Sequence, residues 1–426
     1  MKVLRVIFIA IAATMVASCS DEGNSLNAAG PTRNVAAAFR SAAVPAPSHS
    51  FTTIHRFANE SSGGGNPFSD VLYANGVFYG ATVGFGGPDL LNSTECGSIY
   101  VLTPNQNFTS FTVKFLHLFD RTDGCNPLGH LIVIGSRLYG ATENGGAFGG
   151  GTVFSIGTAG GPLTDLYSFK CGSDGCNPEG PLISLDGNVY GTTYGGGTGC
   201  GDGCGTVFSV PVTGGSDVIL HSFTGSPDGA APTGGVKIVG STLYGTTTSG
   251  GKGNFGSVFG VPLNGGPETM MYSFVGGPSD GANPDSYGRL TNIGSNLYGT
   301  TTAGGTSGNG TVFSLPITGG PDTLLYSFAG GSDGAAPEAP VLPIGTTLYG
   351  TTNRDGVYGV GTLYSVPLAG GADTVIHQFE LADHQGGYGR NSGLTDVNNE
   401  LYGTTQVSGD RNIYGYGTIY QQLIPQ

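Results

Sequence analysis

The sequence predicts an all-β fold, a closed seven-bladed β-propeller with four antiparallel strands in each blade. A variant of Leu-Tyr-Gly-Thr-Thr occurs seven times, and its tyrosines lie a mean of (402 − 79)/6, or about 54, residues apart. A variant of Gly-Thr-Val-Phe follows each copy, and no helical periodicity appears beyond the N-terminal segment. The tyrosines of the seven copies are Tyr79, Tyr139, Tyr190, Tyr244, Tyr298, Tyr349 and Tyr402.

The third copy shows how one repeat forms four strands. An extended run over residues 178–185 is broken by Asp186-Gly187, which is typical of a hairpin turn. The aromatic and β-branched residues 189–193 and 205–210 predict the second and third strands. A Gly-Gly turn then leads into a fourth strand over residues 217–223. Four strands in about 50 residues favour a propeller blade over a solenoid coil.

The two ends of the repeat array predict ring closure. The last repeat stops after residues 417–423 and lacks a fourth strand. Residues 51–57 match that missing strand, with the same pattern as residues 220–223 and 376–379. An open array would leave two sheet edges exposed, so we expect the N-terminal strand to complete the last blade.

The N-terminus predicts export. Residues 1–18 combine basic Lys2 and Arg5 with a short apolar run, which is typical of a signal peptide. The segment ends in Val-Ala-Ser-Cys19, which resembles the lipobox of bacterial lipoproteins, whose cysteine is acylated. An ordinary secretory signal is the alternative. We therefore expect a signal over 1–18, an acylated Cys19 with a flexible tether over 19–50, and the propeller over 51–426. The outer membrane or cell surface is the expected location, with a periplasmic orientation left open.

The charge balance limits the possible partners. The formal net charge is −14, and loss of residues 1–18 leaves (15 − 2) − 29 = −16. Such a chain repels phosphate backbones, so nucleic acid is not expected as a partner. The few basic residues are dispersed, so membrane attachment would depend on the lipid alone, and we expect a monomer.

Aspartates recur in the inter-blade loops as Asp-Gly-x-x-Pro. The pattern is typical of a turn in which Asp bonds nearby backbone, Gly takes a positive φ and Pro ends the loop. The alternative is Ca²⁺ at one or two of these loops, but one Asp per blade supplies few of the oxygens that Ca²⁺ requires. Otherwise no cofactor or metal is expected. The residues are Asp123, Asp174, Asp228, Asp280 and Asp333.

Most histidines are explained by the repeat. His55, His117, His221 and His377 stand where other copies have Tyr167, Tyr272 and Tyr326, so a structural role is expected. His49 falls in the tether, which leaves only His130 and His384.

Six cysteines follow Cys19, and an even number in an exported chain indicates disulfides. Cys171 with Cys176 and Cys200 with Cys204 flank single loops, which would leave Cys96 to pair with Cys125. Zinc is the alternative, although no Cys-x-x-Cys is present.

The motifs together resemble the GloVer tandem repeat of bacterial exported proteins, which carry varied anchors. The resemblance rests on Leu-Tyr-Gly-Thr-Thr, Gly-Thr-Val-Phe-Ser, Leu-Tyr-Ser-Phe and Asp-Gly-x-x-Pro, and it covers residues 51–423. It implies no activity and no catalytic residue.

The sequence favours a binding or scaffold module for a protein or a glycan, using the face with the longer loops. A propeller enzyme acting on an extracellular polymer, a hydrolase or a lyase, is the alternative, because the fold hosts many activities. No catalytic constellation stands out. Polar residues that depart from the repeat and cluster in space would favour the enzyme.

Overall fold

The structure is a computed structural model. It describes residues 51–57, 65–84, 96–201, 203–284, 287–381, 393–406 and 416–425. The chain divides into two compact units, Met1–Ala46 and Pro47–Gln426, and all the described residues belong to the second. None of these residues forms a helix long and apolar enough to cross a membrane.

Seven antiparallel sheets, each with the four expected strands and one with a fifth, form a ring of seven blades, which confirms the predicted fold. We number the blades one to seven in the order of the Leu-Tyr-Gly-Thr-Thr copies. The first strands are short: β2 (Leu72–Ala74), β6 (Ile132–Ile134), β10 (Ile183–Leu185), β14 (Lys237–Val239), β19 (Thr291–Ile293), β23 (Leu342–Ile344) and β27 (Thr395–Val397). The second strands carry the tyrosine motif: β3 (Val77–Thr82), β7 (Arg137–Thr142), β11 (Asn188–Thr193), β15 (Thr242–Thr247), β20 (Asn296–Gly304), β24 (Thr347–Thr351) and β28 (Glu400–Thr405).

The remaining strands complete the blades. The third strands are β4 (Ser98–Pro104), β8 (Thr152–Gly157), β12 (Thr206–Pro211), β16 (Ser257–Pro262), β21 (Thr311–Pro316), β25 (Thr362–Pro367) and β29 (Thr418–Leu423). The fourth strands are β5 (Phe111–Leu118), β9 (Thr164–Ser168), β13 (Val218–Ser222), β17 (Thr269–Ser273), β22 (Thr323–Ser327), β26 (Thr374–Gln378) and the N-terminal β1 (Phe51–Arg56). The sequence did not predict β18 (Gly281–Pro284), which pairs with β20, or a 3-10 turn at Gly331–Asp333.

The last Thr of each tyrosine motif explains why the motif recurs. Thr193 lies directly opposite Thr206 on the third strand, and their hydroxyls are 2.8 Å apart. Every blade has this buried hydroxyl pair, at 2.7–3.0 Å, with Ser in place of the second Thr in two blades. A buried hydroxyl without a partner is costly, so each pair satisfies polar groups that the blade must bury.

The Gly of the motif makes room for an aromatic ring. A Cβ at Gly191 would lie 2.7 Å from Cζ of Phe208, the aromatic residue of the third strand. Since Phe208 is fully buried, any larger residue at this position would displace the ring from the core. The Gly therefore serves side-chain packing rather than a turn.

The hydrophobic core is divided among the blade interfaces. The Phe that follows each fourth strand packs on the third-strand aromatic of the next blade, with ring centroids 4.9–5.4 Å apart. At the closing interface that Phe is Phe57, from the N-terminus, and its partner is Tyr100 of blade one. Strand β1 also pairs with β29, so the same contact occurs at all seven interfaces, as the closed ring requires.

Two faces of the ring differ in their loops. Tight turns join first to second and third to fourth strands on the short-turn face. Longer loops join second to third strands and connect successive blades on the long-loop face. The six described cysteines and the Asp-Gly turns all lie in loops of the long-loop face.

Candidate functional site

The Asp-Gly aspartates hold the inter-blade loops in shape. Asp174 accepts hydrogen bonds from the backbone N–H groups of Lys170 and Gly172 at 2.9 and 3.2 Å, and from the Tyr167 hydroxyl at 2.9 Å. His or Tyr of the fourth strand plays the same part for Asp123, Asp228 and Asp333. Asp280 accepts from the backbone N–H of Val275 at 2.6 Å. These contacts are those of a turn, and His117 and His221 occupy the position that Tyr167 and Tyr326 hold in other blades.

A second carboxylate from the next blade approaches four of these tyrosine or histidine side chains. Tyr326, for instance, lies between Asp333 and Asp373. Burial raises the pKa of each of these second carboxylates. One carboxylate oxygen of each has no hydrogen-bond partner among the described residues. These residues are Asp217, Glu268, Asp322 and Asp373. The described residues contain no group of three or more His, Cys, Asp or Glu that could hold a metal ion, and Ca²⁺ at the loops stays a prediction.

The six cysteines form the three pairs that the sequence analysis favoured: Cys96–Cys125, Cys171–Cys176 and Cys200–Cys204. Disulfides are typical of exported proteins. Together with the repeat they indicate an exported protein. Cys19, the predicted lipid attachment point, lies outside the described residues.

Exposed aromatic rings mark the long-loop face. Each occupies a loop between a second and a third strand, in blades two, three, four and six. Single exposed apolar residues are common on protein surfaces, but here four aromatic rings recur in the equivalent loop of four blades, on one face. The residues and their exposed fractions are Phe148 at 59%, Tyr194 at 47%, Phe255 at 40% and Tyr358 at 52%. Sequence reasoning missed them individually, although the aromatic residues inside glycine-rich loops were a visible signal.

A charged and aromatic cluster occupies the centre of the ring. Phe68 of blade one and Tyr287 of blade five pack edge to face, with centroids 5.3 Å apart. Blades one and five are not neighbours, so side chains in contact there meet across the ring centre. Each lies four residues before the start of a first strand, Leu72 or Thr291, which identifies the first strands as the innermost.

Three ionisable residues lie in the same segments. Nδ1 of His130 lies 2.5 Å from Oδ1 of Asp70, and His130 is only 5% exposed. Arg289 of blade five is within electrostatic reach of Asp70, which raises its pKa, although burial is the larger influence and lowers it. The corresponding residues of the other blades carry no charge: Pro181, Gly235, Pro340 and Gly393.

Asp70, His130 and Arg289 are polar residues that depart from the repeat and lie in the central cluster, which is the criterion stated for an enzyme in the sequence analysis. His130 was left unexplained there, but Asp70 and Arg289 were missed. Aligning the position two residues before each first strand shows Asp, His and Arg against Pro and Gly.

Glu179 is a further buried carboxyl, in the segment that precedes the first strand of blade three. Burial raises its pKa to about 8, and the charge of Glu143 adds to the effect. Glu179 is therefore largely protonated at neutral pH.

Comparisons with known proteins agree with this architecture. The model of the Gloeobacter/Verrucomicrobia repeat matches residues 43–201 and 198–420. No curated protein sequence matches the chain. Among solved structures, a 6-phosphogluconolactonase from Bacteroides uniformis, itself assigned only provisionally, is 15% identical, with 83% of this chain and 100% of that chain covered and a TM-score of 0.50.

The sialidase of Trypanosoma rangeli is 12% identical, with 88% of this chain covered and a TM-score of 0.45. The chain spans 59% of the length of that sialidase. The similarity to the lactonase, at 15% identity, shows the propeller fold alone. The family match covers most of the sequence, and the chain belongs to the Gloeobacter/Verrucomicrobia repeat family.

Proposed function

We propose that this protein is an exported binding module that recognises a glycan through its long-loop face. The observation that carries the proposal is the set of half-exposed aromatic rings Phe148, Tyr194, Phe255 and Tyr358, all on that face. They stand on separate blades rather than in one contiguous apolar patch of the kind that often marks a protein interface. A flat ring can stack on the C–H face of a sugar, while loop backbone groups and hydroxyls bond the sugar hydroxyls.

A glycan array probed with the full chain tests this function. We expect binding to at least one bacterial or host polysaccharide, and we expect alanine at all four aromatic positions to abolish it. The matched control carries alanine at Val218 and Leu423, which are 55% and 39% exposed but lie on the short-turn face. Equal loss in both variants, or binding of a protein but no glycan, would reject the proposal.

We further propose that acylated Cys19 anchors the module, with residues 20–50 as its tether. A Cys19→Ser variant should leave the membrane fraction and accumulate in soluble extracts. Unchanged membrane association would exclude the lipid anchor.

An enzyme acting on an extracellular polymer is the second candidate, and the Asp70–His130 pair supports it. A carboxylate beside an imidazole stabilises its protonated form, which acid–base work can use. Neither ring nitrogen of His130 makes a hydrogen bond to a described residue, so its contact with Asp70 is an ion-pair contact and Nε2 faces no described partner. Incubating the bound glycan with wild-type protein and His130→Gln tests this candidate. New chain ends that appear only with the wild type would support it.

A further inference from the structure

Two cationic side chains near the ring centre have no partner in the described structure. Arg289 precedes the first strand of blade five, and Lys237 begins the first strand of blade four. No carboxylate oxygen of the described residues lies within 4.0 Å of either side chain, and neither makes a hydrogen bond to them. A guanidinium offers five N–H donors, so leaving all of them unbonded is costly in a partly buried place.

The two cations also disfavour each other. Burial lowers the pKa of both groups, and the charge of Arg289 lowers that of Lys237 further. Blades four and five are joined here by a hydrogen bond from the backbone N–H of Gly235 to the carbonyl of Gly288, at 2.9 Å. This bond holds the two segments together and keeps the like charges near each other.

Asp70 is the described acid that acts on Arg289, but it is already engaged. Its Oδ1 lies 2.5 Å from Nδ1 of His130, so its negative charge is directed at the imidazole. Its attraction offsets only part of the cost of burying Arg289, because burial remains the larger influence on the pKa of Arg289.

The repeat does not require either cation. The six other blades have Leu, Ile or Thr at the Lys237 position, namely Leu72, Ile132, Ile183, Thr291, Leu342 and Thr395. Two positive charges without an ion-pair partner among the described residues therefore lie in neighbouring segments of a chain whose net charge is −14. Partly buried charges of one sign carry a desolvation cost that a bound anion would offset.

Further polar atoms of the central segments lack partners among the described residues. Oγ of Ser69 and Oγ1 of Thr233 are buried with no hydrogen bond, and both hydroxyls can donate. Buried donors are normally paired, so these two hydroxyls would be satisfied by an ordered water or by a bound polar group. The available groups are mostly donors, which an oxyanion would satisfy and a cation would not.

We propose that the centre of the ring binds an oxyanion group, a carboxylate or a phosphate, with Arg289 as its main contact and Lys237 as the second positive charge. The planar fork of Arg289 matches two oxygens of such a group at once, and Lys237 adds a point charge. The inference is independent of the aromatic loops, so a small acidic molecule is sufficient as its ligand.

Isothermal titration calorimetry of the full chain at low ionic strength tests the site, with inorganic phosphate and glucuronate as separate probes. Neutral glucose is the uncharged control. We expect one of the two anions to bind, glucose not to bind, and affinity to fall as sodium chloride is added. The anion that binds identifies whether the natural group is a phosphate or a carboxylate. Binding of neither anion by the wild type would overturn the proposal.

Variants locate the anion. Arg289→Gln should weaken binding at least about tenfold, because a charge-assisted hydrogen-bond pair is lost. Lys252→Gln makes the same charge change in an exposed loop and should leave affinity unchanged. Unchanged affinity in Arg289→Gln, or equal loss in both variants, would contradict the assignment. Should Arg289→Gln fail to fold by circular dichroism, Arg289→Lys and Lys237→Gln replace it, and both should weaken binding more than Lys252→Gln does.

Discussion

The hydroxyl of Tyr326 lies 3.0 Å from both carboxylate oxygens of Asp333, across the loop that joins blades five and six. The same Asp accepts the backbone N–H of Ala329 at 2.5 Å, so one carboxylate connects a fourth strand to its loop. We expect Tyr326→Phe to lower the free energy of unfolding by about 1–2 kcal/mol, because a charged acceptor loses its donor. Urea denaturation measures the change. Tyr358→Phe, which removes an exposed hydroxyl, is the control and should change the value little; equal effects would contradict a role for the contact.

The ring should be more stable in mild acid than in base. Burial raises the pKa of Glu179 to about 8 and that of Glu268 to about 7, above their ordinary value of 4.5. The folded state therefore holds protons that the unfolded chain releases, and this stability is complete below about pH 4.5 and lost as the pH rises through 7 and 8. We expect the thermal midpoint to fall between pH 5 and pH 8. A midpoint that rises over this interval would contradict the raised pKa values.

Glu179→Gln should flatten that pH dependence. The amide keeps the shape of the neutral carboxyl but cannot ionise, so the variant avoids the cost of a buried charge beside Glu143. We expect the variant to be more stable than the wild type at pH 8 by about 1–2 kcal/mol, and nearly equal at pH 5. Chemical denaturation at both pH values measures the difference. An identical pH profile in the two proteins would exclude Glu179 as its source.

The three disulfides should contribute unequally to the free energy of unfolding. Cys96–Cys125 closes a loop with a sequence separation of 29, whereas Cys171–Cys176 closes one of 5. Chain entropy alone predicts a loss of about 3.5 kcal/mol for removing the first and about 2 kcal/mol for removing the second. Paired Cys→Ala variants, compared by denaturation under non-reducing conditions, test the order. A larger loss from the short loop would contradict the entropic account.

Because the ring is closed, Phe57 should contribute as much to stability as the equivalent Phe residues that follow the fourth strands of the other blades. Phe57 is 4% exposed and contacts Tyr100 of blade one, as Phe169 contacts Phe208 at an internal interface. We expect Phe57→Ala and Phe169→Ala to destabilise the protein by similar amounts, about 3–5 kcal/mol. The exposed Phe148→Ala should change stability little. A near-neutral Phe57→Ala beside a damaging Phe169→Ala would mean that the last interface does not close.

The fold was predictable because every blade has the same packing and hydrogen-bonding requirements. Each of the seven blades has a Thr whose hydroxyl pairs across two strands and a Gly that lies against an aromatic ring. These residues recur at regular spacing, so the repeat is visible in the sequence. Residues 51–57 were recognisable because they match the fourth strand of every other blade. Strand β18 was not predictable, since it arises from one inter-blade loop and has no counterpart in the pattern.

The central cluster was less accessible for a physical reason. Phe68 and Tyr287 are separated by more than half of the ring along the chain and meet only because the blades converge. Asp70, His130 and Arg289 each read as an isolated charge in its own repeat. Only the closed ring brings the three segments together. The repeat pattern shows which residues depart from it but does not show which of them lie close together in space. Exposure of the loop aromatics is likewise a property of the packed ring.

Because Phe51 lies opposite Gln422 in the pairing of β1 with β29, both ends of the ring meet at the edge of a single blade. A short linker between them would give a covalently continuous circle of seven equivalent interfaces. The chain could then be reopened in any other inter-blade loop without removing one contact from the core. The position of the chain termini therefore affects only the connectivity of the strands and leaves the packing between blades unchanged.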